Sequence, residues 1–222
     1  MALTKSPVWQ IIVVLLGAPA FQGLLFFVSG TDFETFTHYA FVSGLVMEYC
    51  LFALVLLFLR QRGFGLRDIG VASGRLGREI LIGIGAGILL FALSGILFVV
   101  ITKFVPSSIS REPRPLWAAL FYGFALMTAF APIEEIVWRG YAIKFLDEHT
   151  NKRWLSVFIA SLAFGLAHWW GGFANVVASS IIGILFSVLY LWRKNLVANI
   201  TAHLIVDLPL FLFMLFPVAL PR

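Results

Sequence analysis

Residues 116–140 read LWAALFYGFALMTAFAPIEEIVWRG, and the join at Pro132 decides how the chain folds. The seventeen residues up to Pro132 carry no charge, while the next eight carry Glu134, Glu135 and Arg139. The whole chain is 61% hydrophobic and 12% charged, against about half apolar and a quarter charged in ordinary soluble domains. With a mean hydropathy of +0.98, the 222 residues have too little polar surface to cover a water-soluble globule. They imply an integral membrane protein, and the length suits one domain over residues 1–222.

A hydrocarbon core about 30 Å thick takes about 20 apolar residues as a helix. Working outward from Pro132, spans are predicted at 115–133 (continuing as helix to about 148), 8–29, 38–59, 79–102, 154–170, 173–192 and 195–217. The runs are continuous and lack the period-2 alternation of a barrel strand. The expected fold class is therefore all-α, a polytopic transmembrane bundle of seven or eight membrane helices. The opening residues MALTKSPVWQIIVVLLGAPA resemble a signal peptide. The apolar run continues through FQGLLFFVSG, however, and predicts an uncleaved first span.

The basic residues orient the bundle. With the N-terminus inside, Lys5, Arg60, Arg62, Arg67, Arg75, Arg78, Arg139, Lys144, Lys152, Arg153, Arg193 and Lys194 lie on the inner side. Only Lys103, Arg111, Arg114 and Arg222 lie outside, so the expectation is N-terminus in and C-terminus out. The inner stretch RQRGFGLRDIGVASGRLGRE predicts a surface loop facing anionic headgroups. The outer VPSSISREPRP predicts an extended loop. Gly83 and Gly87 stand at GxxxG spacing, a sign of close helix packing. No basic run interleaves with aromatics, which argues against nucleic acid as a partner. Cys50 is the single cysteine, so an internal disulfide and a Cys-rich metal site are excluded.

An ionisable side chain at bilayer depth costs about 2.5–3.5 kcal/mol on insertion scales. Glu48, Glu134, Glu135, His168, His203 and Asp207 should therefore face partners or a cavity. A turn near residue 151 leaves Glu134 and His168 each 17 residues away along antiparallel helices, or about 20–25 Å at 1.5 Å per residue. A second turn near residue 194 puts His203 and Asp207 about 14 and 20 Å up the last helix. Convergence at one depth follows. Glu135 with Arg139, and His203 with Asp207, are i,i+4 pairs on single helix faces, while Glu134 lies about 100° around from Glu135. Each feature has a plainer reading: an ion pair, an interfacial histidine beside Trp169 and Trp170, a packing pair. Glu48 reads best as a protonated carboxyl bonded to a neighbouring helix.

Two carboxylates and two imidazoles with no Ser or Cys nucleophile among them point to water activation. A buried glutamate can accept a proton, a histidine can orient the water, and a second pair can stabilise an oxyanion. The sum is amide hydrolysis. The same residues could instead ligate Zn²⁺, although no H-E-x-x-H is present.

EEIVWR fits E-E-x-x-x-R, FGLAH fits F-x-x-x-H, and HLIVD fits H-x-x-x-N/D. In this order the three resemble the CAAX protease and bacteriocin-processing family, also called the Abi family, over about residues 115–210. The resemblance implies an intramembrane endopeptidase of the glutamate type that needs no cofactor. It implies that Glu134 activates water with His168, and that Glu135 supports the site with Arg139 as ion partner. His203 and Asp207 would then occupy the oxyanion-stabilising positions. Asp207 stands where prenyl-protein-processing members carry Asn, so it donates only when protonated or else orients His203. The expected partners are the lipid bilayer and a peptide or small membrane-protein substrate, and the expected location is a bacterial inner membrane. A non-enzymatic immunity or scaffold protein, a zinc-dependent form of the protease, and a small proton-coupled transporter are the competing readings.

Overall fold

The computed structural model describes residues 7–30, 33–71, 74–105 and 116–215. Lys5, residues 106–115 of the expected outer loop, and residues 216–222, which include the end of the last expected span, lie outside the described residues. Seven helical stretches follow the seven expected spans: α1 (Val8–Ser29), α2 (Phe33–Gln61), α3 (Leu76–Thr102), α4 (Leu116–Thr150), α5 (Arg153–Ala167), α6 (Phe173–Arg193) and α7 (Leu196–Leu215). Among the described residues, five helices are long and apolar enough to cross a membrane, while α5 and α7 are shorter apolar helices. The chain is an all-α, multi-pass integral membrane protein. Its outward faces agree, with Phe27, Leu81, Ile96, Phe124 and Met127 exposed, as expected where lipid and not water is the solvent.

The second half of α4 is the axis of the bundle. Every side chain from Ile133 to Ile143 is buried, the pattern of a helix enclosed all round. The N-terminal half exposes Trp117, Leu120, Phe121, Phe124 and Met127. The helix therefore passes from the lipid-facing rim into the core at Pro132. It does not break there. Proline lacks the N–H that would close the α-helical ladder. Residues Leu126–Phe130 and Glu135–Ile143 on either side adopt π-helical pairing, a departure found often at functional sites.

Turns at Asn151 (φ 52°) and Lys194 (φ 55°) join α4 to α5 and α6 to α7, as expected. Two helix contacts position the last helix. A Cβ on Gly83 of α3 would stand 2.6 Å from the Ala198 carbonyl and from Thr201 Cβ, and one on Gly87 2.7 Å from Ile205 Cβ. Hydrogen in place of a methyl is what lets α3 and α7 touch along their backbones. Gly123 of α4 likewise receives the Phe211 ring.

The inner loop differs from expectation. It is anchored in the bundle by a 3-10 turn, Leu66–Ile69, whose Ile69 is fully buried. The Ile69 carbonyl accepts from Tyr190 Oη at 3.0 Å, and the Gly70 carbonyl accepts from Leu196 N at 2.8 Å. The glycines and arginines around it dominate the composition and hide a single core residue. Ile69 and Leu196 both pack against Gly140 of α4.

Gly83→Ala forces either α3 or α7 to move and is expected to cost about 1–3 kcal/mol, the usual range for overpacking. Gly85, whose Cβ would meet nothing within 4 Å, is the control, and Gly85→Ala should be neutral or mildly stabilising. Unfolding of the detergent-solubilised variants checks this.

Candidate active site

Glu135 is the hub. It is fully buried at 0% exposure, and Arg139 beside it is at 1%. Its Oε1 lies 3.0 Å from Arg139 Nη1 and accepts from His203 Nδ1 at 2.8 Å. Its Oε2 accepts from Asn199 Nδ2 at 3.0 Å. One carboxylate thus gathers a cation from its own helix and two donors from α7. The guanidinium carbon of Arg139 sits 4.3 Å from the Phe164 ring centroid of α5 and 5.1 Å from that of Phe186 of α6. Aromatic faces stabilise a cation that water cannot reach.

His203 stands between three carboxylates. With Nδ1 on Glu135, its Nε2 lies 3.6 Å from Glu134 Oε2 and 3.5 Å from Asp207 Oδ2. The imidazole stacks on the Phe186 ring at 4.9 Å and 28°. Glu134 and His203 are buried, whereas the Asp207 side chain is 28% exposed and marks the open side of the cluster. The two i,i+4 pairs read from sequence are therefore both in contact, and they meet each other.

His168 sits differently from the expected helical position within 154–170. The helix ends at Ala167 and His168 is its C-cap, followed by a 3-10 turn, Trp169–Gly171. Gly172, at φ 83°, supplies a backbone conformation that side chains disfavour. The turn is held by Asn175 Nδ2 donating to the His168 carbonyl at 3.0 Å. His168 Nδ1 donates to the Phe164 carbonyl at 2.8 Å. A carbonyl can only accept, so in the neutral ring the proton is on Nδ1 and the lone pair on Nε2. Phe164 links His168 to the cluster, since its ring lies 4.6 Å from the imidazole and also faces Arg139.

Glu48 on α2 is buried, and its Oε2 has no hydrogen-bond partner among the described residues, so the expected bond to a neighbouring helix is not seen at that oxygen. Asn199 is the residue the motif reading missed. It precedes His203 by four residues, as His203 precedes Asp207, and this i,i+4 repeat was the available signal. Among the described residues, no group of three or more His, Cys, Asp or Glu side chains is arranged to hold a metal ion.

Residues 114–209 match the model of the Rce1-like family, described as type II CAAX prenyl endopeptidase Rce1-like. The matched segment contains all of α4 to which Glu134, Glu135 and Arg139 belong, together with α5, α6 and the polar part of α7. The motif resemblance and the family match therefore fall on the same residues and point to the same class, a membrane peptidase. Helices α1 to α3 lie outside the match. No curated protein and no solved structure matches the chain.

Arg139→Met leaves the Glu135 carboxylate buried without its cation. The expected cost is about 3–5 kcal/mol, read as a loss of folded protein on heating in detergent. Pairing it with Glu135→Gln should recover part of that loss, because the uncompensated charge is then gone.

Proposed function

We propose that this chain is an intramembrane endopeptidase of the glutamate type, hydrolysing a peptide bond of a membrane-embedded or membrane-delivered peptide. The observation that carries the reading is the placing of His203. Its Nδ1–H is held by Glu135 while its Nε2 faces Glu134 and Asp207.

In this reading a water bonded to Glu134 and to His168 Nε2 gives its proton to Glu134 as its oxygen attacks the carbonyl carbon. The carbonyl oxygen becomes an oxyanion. Doubly protonated His203 donates to it from Nε2, and the water-excluded setting strengthens that bond. The proton on Glu134 then passes to the amide nitrogen as the C–N bond breaks, which restores the carboxylate. Asp207 either donates beside His203 when protonated or orients that ring. Glu135 and Arg139 hold the imidazole in place, and Asn199 adds a further bond to the same carboxylate.

The family match supports peptidase chemistry, and the motif residues give it a glutamate-and-histidine form. The substrate proposed is a peptide pheromone, a bacteriocin or a small membrane protein of a bacterial inner membrane, because prenylated CAAX proteins are not the usual substrates of a bacterium. Basic residues at the Asn151 and Lys194 end, with Trp9, Trp154 and Trp192 exposed, support a cytoplasmic placement of that end.

The test is cleavage of membrane-delivered peptides by reconstituted protein. Glu134→Gln keeps shape but loses the base, and should lower turnover by at least about 10²-fold with the fold intact; His168→Ala should do the same. Asp207→Asn should retain cleavage if the position acts as a donor. Activity should survive strong chelation. Loss with EDTA and recovery with stoichiometric zinc would replace this reading by the metal-dependent one. Parental turnover in Glu134→Gln would end it.

For Asp207 the pH–rate profile separates the two roles. A donor role predicts that Asp207→Asn is active without dependence on that group's ionisation, since an amide donates at any pH. A folded Asp207→Asn protein with no cleavage at any pH would assign the residue to orienting His203.

A further inference from the structure

We propose that Asn199 is a positioning residue of this site, fixing the Glu135 carboxylate and, through it, the Nδ1–H contact and the direction of the His203 ring. Its effect on turnover rests on the peptidase reading above; its effect on the ring does not.

Asn199 is fully buried, one turn before His203 on α7. Its Nδ2 has two hydrogens and both are used, one on Glu135 Oε2 at 3.0 Å and one on the Phe186 carbonyl of α6 at 2.8 Å. The amide direction follows from electrostatics. Turned over, its oxygen would face a carboxylate and a carbonyl, both of which only accept. The Oδ1 in the observed direction has no hydrogen-bond partner among the described residues.

The consequence runs through Glu135. With Oε2 occupied by Asn199, the other oxygen is left to Arg139 and to His203 Nδ1. A carboxylate cannot donate, so His203 must present Nδ1–H there, and Nε2 is directed to the gap between Glu134 and Asp207. Phe186 serves twice, its carbonyl holding Asn199 and its ring supporting the imidazole. Rotation of Glu135 would release both constraints at once.

The plainer reading is that Asn199 is interhelical glue between α6 and α7, a common use of buried amides in membranes. Glue requires only the bond to the Phe186 carbonyl. The second hydrogen goes to a carboxylate that already has a cation, and the amide oxygen is left buried and unsatisfied, which costs stability. Both features fit a residue placed for Glu135.

The experiment uses the full chain in lipid nanodiscs with nitrogen-15 histidine, comparing the parent with Asn199→Ala and the near-isosteric Asn199→Asp. In the parent, the His203 ring should show a protonated Nδ1. In both variants the His203 resonances should shift or broaden as the ring loses its fixed Nδ1–H contact, while those of His168 stay in place. Turnover should fall about 10- to 100-fold, the scale of a misdirected catalytic group, with KM changed less than about twofold. Unchanged His203 resonances in a folded variant would overturn the proposal. If neither variant folds, the parent decides. A His203 protonated only on Nε2, or an Asn199 side-chain amide in fast exchange with water, would overturn it; Nδ1–H with a protected amide would support it. A protein that cleaves no peptide but shows the resonance shifts would fail the peptidase reading and keep the role of Asn199.

Discussion

An arginine with 1% exposure in the axis of an apolar bundle is the constraint on which the rest depends. Desolvating such a cation is expensive, and mutual attraction with a carboxylate offsets the cost only when the geometry is good and the remaining polar atoms are met. Here Glu135 is one turn away, Phe164 and Phe186 cover the guanidinium, and His203 and Asn199 saturate the carboxylate, while Arg139 Nη1 and Nη2 form no hydrogen bond among the described residues and rely on the ion pair and the aromatic faces. Four helices contribute to that arrangement. The bundle cannot shed one of them without exposing a charge to hydrocarbon.

The polar hub in turn requires α7 to lie close and at a fixed rotation. Gly83 and Gly87 allow that approach from α3, and Gly123 allows it from α4. Helix α3 carries no residue of the site, yet it determines where His203 and Asp207 point. The structural role of α3, which lies outside the family match, is thus physical and direct: it supports the face of α7 that meets Glu134 and Glu135.

Much of the site was legible in the sequence because it depends on spacing within one helix. The pairs Glu135–Arg139 and His203–Asp207 follow from i,i+4 geometry, and the turns at 151 and 194 follow from where apolar runs are interrupted. The contact between the pairs was legible only as a shared depth. Which nitrogen of His203 meets which carboxylate depends on the rotation of α7, and that is set by backbone contacts with glycines far from the motifs. Asn199 does not stand out in the sequence, because a lone amide in an apolar run carries no charge. The hydrophobic run continues through two tryptophans and so extends the expected helix past His168; Gly171 and Gly172 are the signal that it ends. Ile69 reads as loop in the sequence because a buried apolar side chain among arginines and glycines does not change a local average. The π-helical pairing around Pro132 has no signature beyond the proline itself.

The central claim is that one water is shared by the Glu134 carboxylate and His168 Nε2 beside His203. It is tested most directly by an experimental structure in a lipid nanodisc, at a resolution that orders water. The account predicts a single water within hydrogen-bond distance of both groups, about 2.6–3.2 Å, on the side of the cluster that Asp207 opens. A His168 imidazole facing lipid, or a metal ion coordinated by Glu134 and the histidines in place of that water, would contradict it.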